Sequence, residues 1–195
     1  MFFYKNAYIV YYFQIKTNLC FFNTETERMK KNLVLVGMMG SGKSTIGKVI
    51  SRKSGLKFID TDELIEIQEK MKIREIFKNK GEDFFRQIEE KIIFKVMKLN
   101  GYVIAVGGGA FINPKVRKEI NKNGISFWLN WKEDVLIKRI RYNSKRPKVA
   151  ELTLQELRKL IVSRSKIYIK ADFKINCDKL DKFQITKNIL EFYEK

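Results

Sequence analysis

The densest chemistry in this chain lies in Gly37-Met-Met-Gly40-Ser41-Gly42-Lys43-Ser44-Thr45. Its spacing fits G-x-x-x-x-G-K-[ST], in which glycines let the main chain curl so that successive N–H groups face phosphate oxygens. Lys43 then neutralises the outer phosphates of a nucleoside triphosphate, ATP or GTP, and Ser44 holds Mg²⁺. Two carboxylates follow at Asp60-Thr-Asp62. If a strand continues through them, their alternate positions put both on one face, one to serve the metal and one a hydroxyl. An aspartate at the start of a helix serves equally well as its cap, so the isolated pair carries both readings.

Further along, Phe85-Arg86-x-x-Glu89 puts a guanidinium and a carboxylate on one helix face, as a surface ion pair or as part of a site. Arg164 falls beside Leu157 on the apolar stripe of its helix at 100° per residue, where a charge needs a buried partner or a cleft. Gly107-Gly108-Gly109 closes an apolar run, and three glycines in a mere connection cost entropy, so something must approach that backbone closely. The same run lacks the terminal aspartate of the usual second phosphate-site motif, which leaves Asp60 as the candidate for an indirect metal carboxylate. Arg139, Arg141, Lys145 and Arg146-Pro147 read as a basic segment between two helices. It suits a mobile lid that brings positive charge onto a transferring phosphoryl group, or a plain solvated loop.

Five apolar, β-rich runs can position these groups: Leu33 to Val36, Lys57 to Ile59, Tyr102 to Val106, Ile125 to Leu129 and Phe173 to Cys177. Helical periodicity separates them, which predicts a parallel sheet with helices on both faces and ligands at the carboxyl ends of its strands. One helix, from about Glu82 to Leu99, carries Phe85, Ile88, Ile92, Val96 and Leu99 as an amphipathic stripe. Another opens on the capping box Thr153-x-x-Glu156 and runs through Leu157, Ile161 and Tyr168.

The 195 residues suffice for one domain. With no histidine, imidazole relays and imidazole-based zinc sites are excluded, and Cys20 and Cys177 lie too far apart for a CxxC knuckle, which points to a reducing cytoplasm. A net charge of +18, from 40 Lys and Arg against 22 Asp and Glu, attracts polyanions. That excess suits solvated lysine-rich helix faces as well as a nucleic-acid binder that keeps a phosphate loop as a module. The aromatics after Met29 sit at core spacing, without the basic-aromatic interleaving of a stacking platform. Residues 1–28 stand apart, with nine aromatics before position 23; no apolar run there is long enough to span a membrane, and the pattern of a secretory signal is missing. Translation is expected to begin at Met29, with residues 1–28 an upstream extension and 29–195 a single domain.

Taken together and in order, the Gly37–Thr45 loop, Asp60-Thr-Asp62, Phe85-Arg86-x-x-Glu89, Gly107-Gly-Gly109, Arg146-Pro147 and Arg164-x-x-x-Tyr168 resemble the shikimate kinase family over Met29 to Lys195. The resemblance implies a three-layer α/β/α sandwich with a five-stranded parallel sheet, a P-loop NTPase of the nucleoside monophosphate kinase type. Substrate-binding helices would lie at about 61–99 and a lid at about 140–152. It implies transfer of the ATP γ-phosphoryl group to the 3-hydroxyl of shikimate, on the route to chorismate and the aromatic amino acids. Gly40, Ser41, Gly42, Lys43, Ser44 and Thr45 would bind ATP, Ser44 and indirectly Asp60 would hold Mg²⁺, and Asp62 would contact the accepting hydroxyl. Arg86, Gly107, Gly108, Gly109 and Arg164 would hold shikimate with Glu89 in support, Arg146 would be the lid arginine, and Arg139 would lie near adenine. Lys43, Asp62 and Arg146 would carry catalysis in a cytoplasmic monomer that binds neither nucleic acid nor membrane. Two departures stand out: the lid lacks the small Thr-Gly turn common there, and the loop after Cys177 reads Asp-Lys-Leu-Asp without Pro or Arg. Related kinases of gluconate or nucleoside monophosphates share the loop and the sheet and are the alternatives.

Overall fold

The computed structural model describes residues 31–143 and 152–194; the extension at 1–28, the start at Met29, Cys20, and the lid residues Lys145 and Arg146-Pro147 lie outside them. Strands β1 (Asn32–Val36), β2 (Lys57–Asp60), β3 (Tyr102–Ala105), β4 (Gly124–Asn130) and β5 (Phe173–Asn176) form one parallel sheet in the order β2-β3-β1-β4-β5. Between and after them run α1 (Lys43–Ser54), α2 (Thr61–Glu69), α3 (Ile73–Val96), α4 (Pro114–Asn123), α5 (Glu133–Asn143), α6 (Leu154–Tyr168) and α7 (Lys182–Tyr193). Each of the five expected strands forms, to within a residue or two. The chain leaves β1 for β2 on one side of the sheet and later adds β4 and β5 on the other, so a crevice opens beyond the carboxyl end of β1.

Alternation along the strands builds two cores. Leu33, Leu35, Val103, Phe127, Leu129 and Ile175 face α1 and α7 with Ile46, Ile50, Ile185 and Ile189. Val34, Val36, Ile104, Val106 and Trp128 face the opposite way, against Ile65, Phe85, Ile92, Ile93, Leu157 and Tyr168. Because strand side chains alternate with a period of two, a one-residue slip would exchange these faces, and the register is fixed accordingly. Gly47 lets α1 lie close on the sheet, since a Cβ there would fall 2.3 Å from Phe58 Cε2. Buried Asn32 locks the amino edge: its amide donates to Leu99 O at 2.5 Å and its carbonyl accepts from Tyr102 N at 3.0 Å.

Two helices differ from the sequence expectation. The helix expected from about Glu82 has its straight run from there, but it continues a preceding stretch of about two turns from Ile73 across a kink at Gly81, whose φ of 81° and ψ of 174° suit only glycine. Arg139 and Arg141 belong to helix α5, which runs to Asn143, so the basic segment does not start as a loop. The capping box at Thr153 and Glu156 forms as expected and opens α6. Arg158 ties α6 back to α5 through Glu133 at 3.0 Å and Asp134 at 3.2 Å. Among the described residues no helix is long and apolar enough to cross a membrane.

Candidate active site

The loop from Gly37 to Gly42 occupies the crevice beyond β1. Gly37, Gly40 and Gly42 take φ of 140°, 76° and 89°, left-handed values that side-chain-bearing residues rarely adopt. Helix α1 opens with no side-chain cap and no acidic residue in its first turn. Its first N–H groups and positive dipole end therefore face the crevice. Lys43 arches back over the loop, its Nζ donating to Gly37 O at 2.9 Å and Met38 O at 3.0 Å. The Ser41 hydroxyl is buried in the curl with no hydrogen-bond partner among the described residues. The cleft in front has a volume of about 1050 Å³ and brings Gly40 to Thr45 together with Asp60, Asp62 and Arg139.

Strand β2 ends at Asp60 instead of continuing to Asp62. The two carboxylates therefore do not alternate along one strand face, as the dipeptide spacing suggested; Asp62 enters the cleft from the first turn of α2. Asp60 forms the cap that an aspartate in this position allows, and leaves its second oxygen for Ser44. One oxygen caps α2, accepting from Asp62 N at 3.0 Å and Glu63 N at 3.4 Å, while the other accepts from the Ser44 hydroxyl at 2.5 Å. Burial pushes the Asp60 carboxyl above the ordinary aspartate value, reinforced by the charges of Asp62 and Glu63; the Ser44 and Glu63 hydrogen bonds work the other way without overcoming it.

On the other side of the crevice, Arg86 is fixed by carboxylates. Nη1 donates to Glu89 at 2.6 Å and Nη2 to Glu82 at 3.2 Å. Glu89 is buried, its side chain only 3% exposed, so this is not the loose surface pair that i,i+3 spacing allows. Burial works against the Arg86 charge, but Glu89 and Glu82 outweigh it and hold the guanidinium above its ordinary pKa. The end of the guanidinium lies against Gly109, where a Cβ would come within 2.5 Å of Nη1. Gly108 admits the phosphate loop, since its Cβ would lie 3.0 Å from Met39 N. The close approach expected at the triple glycine is thus real and comes from two directions. Gly107 N donates to Thr61 Oγ1 at 3.2 Å, and Gly108 O accepts from the buried Tyr168 hydroxyl. Arg164, expected on an apolar stripe with a partner or a cleft, is half-buried and contacts Met38 Sδ at 3.6 Å, beside the phosphate loop.

Arg139, half-buried on α5, has its guanidinium carbon 3.8 Å from the Trp131 ring centroid. The loop after Cys177, which lacks proline, is shaped instead by a turn in which Leu180 N donates to Cys177 O at 3.2 Å with Lys179 in the left-handed region. Asp178 anchors that turn by accepting from Lys132 N at 3.0 Å. Cys177 is buried and its thiol pushed up to about 12, by burial first and then by the charge of Asp178. Sequence reasoning missed Thr61, Glu82 and Trp131. Trp131 was discoverable, since it directly follows β4 at the carboxyl edge where ligands sit; Thr61 and Glu82 carry no such signal.

A five-stranded parallel sheet of order β2-β3-β1-β4-β5, with a glycine-rich loop and a lysine between β1 and α1, defines a P-loop kinase of the nucleoside monophosphate kinase fold. The shikimate kinase family model matches residues 39–194, and the chain belongs to that family. It is 43% identical to the shikimate kinase of Bartonella quintana over 83% of this chain and 77% of that protein. A solved shikimate kinase from Acinetobacter baumannii in complex with shikimate superposes with a TM-score of 0.79 at 28% identity, covering 83% of this chain and 92% of that one. The Aquifex aeolicus shikimate kinase superposes with a TM-score of 0.74 at 32% identity, covering 84% and 96%.

Proposed function

We propose that this chain transfers the γ-phosphoryl group of ATP to the 3-hydroxyl of shikimate, giving shikimate 3-phosphate and ADP. The observation that carries the reading is Arg86, a cation held rigid by the buried Glu89 and seated on Gly109 beside a phosphate loop. A hydroxy acid presents one carboxylate and several hydroxyls, and a fixed guanidinium binds that carboxylate through two parallel hydrogen bonds. Arg164 and the Gly107–Gly109 backbone supply the remaining donors and acceptors to the ring, with Glu89 orienting Arg86.

Phosphoryl transfer needs positioning and charge neutralisation more than covalent help from the protein. The N–H groups of Gly40 to Thr45 and the Lys43 ammonium bind the triphosphate. Asp62 receives the proton as the substrate oxygen bonds to phosphorus and the bond to the ADP oxygen breaks. Asp60 and Ser44, two hard oxygen donors 2.5 Å apart, suit Mg²⁺, which takes few protein ligands and fills its shell with phosphate oxygens and water. Ser44 would hold the ion directly and Asp60 indirectly, and the ion would supply charge neutralisation at the outer phosphates. The paired Asp60 carboxylate, held above its ordinary pKa by burial, is stabilised as an anion by such a cation. Arg139 lies against adenine; Arg146, expected as the lid arginine, lies outside the described residues. The enzyme acts as a monomer on small molecules in the cytoplasm, where ATP and Mg²⁺ are supplied.

A coupled ADP-release assay with Mg-ATP, comparing shikimate, gluconate, nucleoside monophosphates and no acceptor, tests the reading. Turnover with shikimate alone is expected. An absence of stimulation by shikimate, or preference for another acceptor, overturns it.

A further inference from the structure

Trp131 touches two parts of the nucleotide cleft at once. Its indole N–H donates to Ser41 O in the phosphate loop at 2.9 Å. Its ring carries the Arg139 guanidinium at 3.8 Å, the distance of a flat cation–π stack. The two contacts reinforce each other, because Gly40 and α5 are themselves packed together: a Cβ on Gly40 would already stand 3.4 Å from Arg139 Cβ and Ile140 Cγ1. Both Trp131 and Arg139 line the cleft that holds the phosphate loop. Trp131 also packs against both cores of the molecule, so the ring itself is held by the body of the protein.

An arginine side chain on a surface helix has several rotamers and loses entropy when a ligand orders it. With one face of its planar guanidinium laid on an indole, that cost is met before binding, and the opposite face stays available to a second π system. We infer that Trp131 is a positioning residue for the nucleotide: it holds Arg139 flat as the platform for adenine and ties that platform to the loop that grips the triphosphate. The inference rests on the reading that Arg139 stacks on adenine. Base and phosphate recognition are thereby built on one rigid block, and a nucleotide that engages either half finds the other already placed.

The full chain tests this with Trp131→Leu, Trp131→Phe, Arg139→Ala and the double variant Trp131→Leu/Arg139→Ala, by steady-state kinetics and by competitive inhibition with ADP and with inorganic tripolyphosphate, which has phosphates and no base. Loss of a stacked cation is expected to raise the KM for ATP and the Ki for ADP about three- to thirtyfold in Trp131→Leu. The KM for shikimate is expected to stay within about twofold, and the Ki for tripolyphosphate to rise clearly less than that for ADP, because tripolyphosphate loses only the tie to the Ser41 loop and has no base to lie on Arg139. Trp131→Phe, which keeps a ring under the guanidinium, restores most of the ATP affinity. In the Arg139→Ala background, Trp131→Leu adds little. Full additivity of the two substitutions overturns the inference while leaving the role of Arg139 intact; an unchanged ATP KM in Arg139→Ala overturns both.

A second measurement does not depend on replacing Trp131. The chain has two tryptophans, and in Trp128→Phe the emission reports Trp131. ADP is expected to shift or quench that emission, tripolyphosphate to change it less because it acts only through the Ser41 contact, and Arg139→Ala to reduce the ADP response to the tripolyphosphate level. Emission that ADP does not alter, or that tripolyphosphate alters equally, overturns the inference.

Discussion

Replacing Gly109 with alanine separates binding from folding. Gly109 has φ −100° and ψ −13°, a backbone conformation that alanine adopts without strain. The obstacle is Arg86, whose Nη1, Nη2 and Cζ would lie 2.5, 2.7 and 2.8 Å from the new Cβ. Ordinary contact between such atoms needs about 3.5 Å, so the guanidinium must lift by roughly 0.5–1 Å. It cannot swing freely, because Glu89 at 2.6 Å and Glu82 at 3.2 Å hold it from below. The result is a cation still paired within the protein but displaced from the carboxylate it is meant to receive. Hydrogen bonds to charged groups contribute about 1.5–3 kcal/mol, so kcat/KM for shikimate should fall by about 10- to 100-fold. Folding should hardly change: alanine gains about 0.4–1 kcal/mol by restricting the unfolded chain, which offsets the cost of moving one side-chain end. The assay varies shikimate at saturating Mg-ATP, then ATP at saturating shikimate, with a thermal melt alongside. A kcat/KM for shikimate within twofold of the parent enzyme would refute the placement of Arg86 in the acceptor site, and a large loss of melting temperature would refute the claim that the effect is local.

Asp62→Asn should lower kcat by about 10²- to 10⁴-fold with near-normal substrate KM values, as removal of a proton acceptor does, and this is checked by the same coupled assay. Asp60→Asn keeps one oxygen to cap α2 and turns its amide NH2 to the Ser44 hydroxyl, which then accepts, but removes the charge. Because the folded Asp60 pKa lies above its ordinary value of 3.8, the ionised carboxylate lowers stability at neutral pH, and this penalty vanishes below 3.8. The variant should therefore match the parent in acid and be the more stable as pH rises through the raised pKa, in urea melts without nucleotide, while losing Mg²⁺-dependent activity. Lys70 ends α2 in the left-handed region at φ 53°, where glycine is preferred. Lys70→Gly should accordingly raise stability by about 0.5 kcal/mol, read as a melting-temperature gain of about 1–2 °C, with turnover unaffected.

How much of this was legible in the sequence depends on whether the signal was local. The phosphate loop was readable in full, because glycine conformation, the lysine and the following helix are all encoded within nine residues. Strand positions followed from the apolar runs, since each buried strand shows its β-branched content locally. The pair Asp60-Thr-Asp62 was readable as chemistry but not as geometry: whether β2 continued past Asp60 depended on the cap that Asp60 itself forms with Asp62 N and Glu63 N. The start of one helical run at Glu82 was readable, whereas the roughly two turns before the Gly81 kink were not, because a lone glycine reads as an end and not as a bend.

The residue order alone thus determined the chemical inventory: a phosphate cradle, carboxylates, arginines and a glycine run, on strands alternating with helices, with no imidazole to assist them. The tertiary structure alone decided which of these groups meet. Arg86 and Glu89 read as a surface pair or as part of a site until the packing of α3 buried Glu89; the close approach expected at the glycine run had no named partner until Arg86 came against Gly109; Trp131 had no role until Ser41 and Arg139 closed on its two sides. The physical reason is that composition and periodicity act over a few residues, whereas burial and contact across strands join positions tens of residues apart, and only the folded sheet brings those positions within a hydrogen bond of one another.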